Sequence, residues 1–78
     1  MDKLRELNEE RFKVLDMFPY YQRQLEYRTQ QKELSIASGD FREAERMRVK
    51  VMAVVRTMRI ANGKIDRLDE QINELRKG

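Results

Sequence analysis

Between Ala44 and Leu75 the apolar residues of this chain fall in steps of three and four: Ala44, Met47, Val51, Val54, Met58, Ala61, Ile65, Leu68, Ile72 and Leu75. A period near 3.5 held over more than four heptads belongs to a long helix with one apolar seam. It excludes a strand, whose apolar positions would alternate. A seam of this length needs a partner, because packing of the apolar face rather than propensity stabilises most helices in water. The rest of the chain therefore has to supply that partner or leave the seam for another molecule.

The residues before it carry the same spacing: Leu4, Leu7, then Val14, Phe18, Tyr21 and Leu25, with Arg11 in the one slot that breaks the series. Phe12 with Leu15 is expected to widen this buried face beyond a strict seam. Pro19 donates no backbone hydrogen bond and disfavours helical dihedrals at Phe18. The apolar register crosses it without a change of phase, so a kinked helix is expected, and a fresh start capped by Asp16 is the alternative. After Tyr27 the seam weakens through polar residues until Leu34, Ile36 and Ala37.

Ser38-Gly39-Asp40-Phe41-Arg42-Glu43 then reads as the end of one helix and the start of the next. Gly39 suits the left-handed closing position, and Asp40 with Glu43 three residues on forms a capping box. Two helices joined by so short a link run antiparallel. The expected fold class is all-α: an antiparallel two-helix hairpin in one domain, with arms at residues 2–37 and 41–77 and a turn at 38–40. Each arm is expected to be roughly 50 Å long at about 1.5 Å per residue. Asn62-Gly63 is the weak point of the second arm, yet the heptad continues across it in phase, which favours an uninterrupted helix. If facing residues have numbers summing to about 79, Leu4 meets Leu75, Leu7 meets Ile72, Val14 meets Ile65, Phe18 meets Ala61, Tyr21 meets Met58 and Leu25 meets Val54.

Gly39-Asp40-Phe41-Arg42-Glu43-Ala44 resembles the inter-helix turns of tetratricopeptide repeats and of the short helical hairpin in nucleotide-excision-repair proteins, over these six residues alone. The overall plan is similar to that of small plasmid-copy-control bundles that bind RNA, a likeness of architecture.

Chemistry has few groups to draw on. There is no His and no Cys, hence no imidazole base, thiolate nucleophile, disulfide or nitrogen and sulfur metal ligand. The carboxylates Glu6 and Glu10, or Asp66, Asp69 and Glu70, have no Glu-x-x-His partner of the kind helical metal sites use. No catalytic residue, cofactor or metal is expected, and the chain is read as a non-enzymatic protein-protein interaction module, a small regulator, adaptor or assembly factor. No apolar run approaches membrane-spanning length and no signal-peptide core opens the chain, so a cytoplasmic protein without a membrane partner is expected.

The second helix has more apolar surface than its seam uses. Val49, Met52, Ala53 and Ile60 lie on its other side and form the candidate interaction face. A chain of 78 residues buries only about 60% of its unfolded surface, so added contacts are expected. A homodimer of two hairpins in a four-helix bundle would cover that face. The alternatives are a three-helix bundle, in which the segment before Pro19 folds back over it, and a different protein partner.

Charge is concentrated in the same place. The net charge is only +3, but Arg46, Arg48, Lys50, Arg56, Arg59 and Lys64 share nineteen residues with no carboxylate. They are candidate nucleic-acid contacts through phosphate, with Tyr20, Tyr21 and Tyr27 available for stacking. The competing expectation is that Glu9, Glu10, Asp16 and Glu26 on the first arm neutralise them.

Overall fold

The computed structural model describes residues 2–78, and among them every regular element is a helix: α1 Lys3–Asp16, α2 Phe18–Ala37 and α3 Phe41–Lys77. Asp2 starts the first helix, its carboxylate accepting hydrogen bonds from the Leu4 and Arg5 amides at 3.1 and 3.4 Å, two of the donors that a helix start leaves unpaired.

α1 and α2 are two segments of one bent arm. Pro19 cannot donate to the Leu15 carbonyl and its ring crowds that oxygen. The chain adjusts at Met17, whose amide reaches back only three residues to the Val14 carbonyl at 3.2 Å. One residue set later the ordinary spacing resumes, with the Tyr21 amide donating to the Met17 carbonyl at 3.1 Å. Met17 keeps right-handed helical dihedrals and no side chain caps α2, so Asp16 does not begin a separate helix. The bend is thus at Met17, two residues ahead of the proline that causes it.

The link at residues 38–40 closes α2 by backbone geometry. Gly39 has φ +79°, a conformation that costs an L-residue a Cβ clash. It allows the Gly39 amide to donate to the Ile36 carbonyl at 3.1 Å and the Asp40 amide to donate to the Ser35 carbonyl at 2.8 Å, the paired bonds of a Schellman motif. The Asp40 carboxylate then accepts from the Glu43 amide at 3.1 Å and starts α3. Only this half of the expected capping box forms. Because Ser35 already takes the Asp40 amide, the Glu43 carboxylate turns to Arg46 instead.

α3 runs unbroken through Asn62 and Gly63 to Lys77. α1 and α2 both lie along it, in a rod of 59 × 15 × 14 Å. Leu7, Leu68 and Ile72 form a buried cluster with Leu4 packed against it. Ala44, Ala61 and Ile65 are also buried, and Met47, Val51, Val54 and Met58 are partly buried. Leu75 is 45% exposed and shares a shallow depression with Lys3 and Leu7, so the last seam position is only half covered.

The first arm departs from its expected pattern at several positions. Phe12 and Leu15 are exposed and do not widen the buried face, since a single facing helix covers only a narrow stripe. Leu34, Ile36 and Ala37 are exposed too; toward the turn the partly covered positions belong to Arg28, Thr29, Gln31, Lys32 and Ser35. Arg11, the residue that breaks the heptad, donates from Nε to Asp69 Oδ1 at 2.6 Å. α1 packs on α3 at Leu68, Asp69 and Ile72 and reaches toward the turn only as far as the depression it shares with Thr57 and Ile60. A fold in which the first segment lies back over Val49, Met52 and Ala53 is not what this chain adopts.

Candidate interaction surface

The sequence reading places two groups of residues on α3, an apolar face and a basic stretch, and the structure divides both. Val49, Met52 and Ile60 are 58%, 52% and 65% exposed, and Ala53 is exposed with them. Ala53 and Ile60 edge the groove between the arms, whereas Val49 and Met52 line neither of its depressions.

That groove has two adjoining depressions, of about 350 and 400 Å³, which share Tyr21 and Thr57. The first lies between Tyr20, Gln24 and Arg28 on α2 and Lys50 and Ala53 on α3. The second lies between Lys13 and Met17 on the first arm and Ile60 and Lys64 on α3, with Glu10 at its edge. Tyr21 packs edge-on against both Phe18 and Tyr20, each ring centroid 6.0 Å away. Such T-shaped pairs hold the rings in defined orientations.

The six basic residues fare differently from one another. Arg46 pairs with Glu43 at 3.1 Å, and Arg48 pairs with Glu45 through a terminal nitrogen at 2.6 Å and its Nε at 3.0 Å. The hydrogen bonds from Arg48 hold the Glu45 carboxyl below its ordinary range, and the same bonds raise the guanidinium of Arg48. Both partners are on α3, one turn apart. Among the described residues no ion pair joins Lys50, Arg56, Arg59 or Lys64 to any carboxylate. The expectation that Glu9, Glu10, Asp16 and Glu26 neutralise the stretch from across the fold is therefore not met. Glu9 is taken up by Arg5 on its own helix at 3.3 Å.

The structure also brings in two cations that the sequence reading passed over. Lys13 and Arg28 come from the first arm and face Lys64 and Lys50 across the groove. The Nε of Arg28 is shut off from solvent and has no hydrogen-bond partner. Their signal in the sequence is the same complementarity that pairs the apolar residues, since Lys13 with Lys64 and Arg28 with Lys50 also sum to nearly 79.

Among the described residues no helix is long and apolar enough to cross a membrane, and no group of three or more carboxylates could hold a metal ion. Compared with protein-family models, curated proteins and solved structures, the chain matches none.

Proposed function

We propose that this chain is a non-enzymatic interaction module: an antiparallel helical hairpin that pairs with a second copy of itself to form a four-helix bundle, serving as a small cytoplasmic regulator, adaptor or assembly factor. The observation that carries the reading is the exposure of Val49, Met52 and Ile60 on a helix whose seam is already covered. Such a helix is apolar on two sides and calls for cover on both.

Surface area supports it. The chain exposes 6389 Å², where a compact monomer of its mass would expose about 5,000 Å². Pairing would remove apolar surface that an elongated two-helix rod cannot bury alone. Charge favours a second copy with its turn at the opposite end. From Pro19 to Arg59 there are nine basic and five acidic side chains, and in the remaining residues there are eight basic and nine acidic. Opposed turns set the basic half of one rod beside the slightly acidic half of the other, and such complementarity fixes register.

Variants on the two sides of α3 test the reading. Val54→Asp puts a charge into the seam and is expected to abolish helicity. Met52→Asp is expected to halve the mass in solution while leaving the far-ultraviolet helical signal intact. If both variants unfold the chain, or if Met52→Asp leaves the mass unchanged, the division of α3 into a covered side and a pairing side is wrong.

A further inference from the structure

We infer that the groove between the arms binds single-stranded nucleic acid, with phosphates held by Lys13, Arg28, Lys50 and Lys64 and bases stacked on Tyr20 and Tyr27. Four cations line or edge the two depressions, with Glu10 as the one carboxylate among their lining residues and no ion pair at any of the four. Lys50 and Lys64 are fourteen residues apart on α3, about 21 Å along a helix at about 1.5 Å per residue. That row of charge suits a backbone of repeated phosphates, not one anion.

Arg28 points the same way. A buried guanidinium Nε without an acceptor is rare in folded proteins, and this one belongs to a side chain that lines the first depression. Its planar fork matches two phosphate oxygens at once.

The aromatic residues select unpaired bases. Tyr20, which lines the first depression, is 48% exposed, and Tyr27, outside the depression but two turns further along the same face of α2, is 60% exposed. Tyr21 braces Tyr20 edge to face and is itself packed edge-on against Phe18. Exposed rings beside a basic groove are the elements of sequence-tolerant single-strand binding, whereas in a duplex the bases are stacked already. A second copy is a poor occupant of this groove, because a two-fold axis would set the same four cations against one another. The groove meets the pairing side of α3 only at its Ala53 and Ile60 edge, with Val49 and Met52 lining neither depression, and this inference does not depend on dimerisation.

The test uses the full chain and a fluorescent oligouridylate of about 15 nucleotides, read by anisotropy. With four cations engaged, the slope of log affinity against log salt should be about −3, so binding falls about 50-fold between roughly 50 and 200 mM salt. Lys50→Glu combined with Lys64→Glu should cost about tenfold or more, and Tyr20→Leu about tenfold, each with helicity retained. Arg59→Glu, a charge reversal on a residue that lines neither depression, should cost far less. The inference is overturned if the oligonucleotide does not bind at low salt. It is overturned equally if a duplex of the same length binds as tightly, if Arg59→Glu matches the groove variants, or if polyglutamate displaces the strand while Tyr20→Leu has no effect, which would mark the groove as a dock for an acidic protein.

Discussion

Individual residues carry unequal shares of this fold. Leu68 is among the most buried side chains, in a cluster with Leu7 and Ile72, while Leu34 is largely exposed. Leu68→Ala should therefore lower unfolding free energy by about 2–5 kcal/mol, and Leu34→Ala by less than about 0.5 kcal/mol, both read from chemical denaturation. Equal effects would mean that the core does not lie at the end near the chain termini. The sequence made Leu7, Leu68 and Ile72 recognisable, because their spacing is the seam itself. It concealed Arg11, which looked like a flaw in the heptad and proves to be an ion-paired position opposite Asp69. A charge at a seam position is satisfied by a residue from the other arm, and spacing along one helix carries no information about that. Lys13 and Arg28 escaped notice for the same reason, as isolated cations in a mixed arm that matter only once the arms are side by side.

At the scale of elements, local chemistry sets where helices stop and bend. The turn ahead of α3 is marked in the sequence by a left-handed glycine and a capping aspartate, Gly39 and Asp40. The first arm was harder to read, since Leu34, Ile36 and Ala37 suggested a seam that the facing helix does not cover. Gly63 is the clearest element-level test. It has ordinary helical dihedrals, and a Cβ built there meets nothing within 4 Å. Gly63→Ala should stabilise α3 by about 0.5–1 kcal/mol, since alanine loses less backbone entropy in a helix, and thermal melting would show it as a raised midpoint. Gly39→Ala is expected to have the opposite sign. There too a Cβ has open space, but φ +79° strains an L-residue, at a cost of about 1 kcal/mol. If Gly39→Ala were neutral, the left-handed closure would not be what holds the turn.

The whole molecule is a thin rod with a short core and long uncovered sides. Among the described residues six apolar ones are buried and no large side chain is fully so, a small core for marginal stability. An isolated rod of this kind would melt at low temperature, and association offers the missing burial, so its midpoint should rise with protein concentration. Length, charge and the second apolar stripe of α3 are the grounds in the sequence for proposing a partner. The groove was not legible there, because it forms only where the two arms lie side by side. Opposed charge along the rod adds a salt dependence: pairing with turns at opposite ends should weaken between low and high ionic strength. The most direct measurement is light scattering coupled to size exclusion over a range of concentrations. A mass of twice 9.5 kDa at micromolar protein and above is the predicted result; a mass of 9.5 kDa at every concentration would contradict the account.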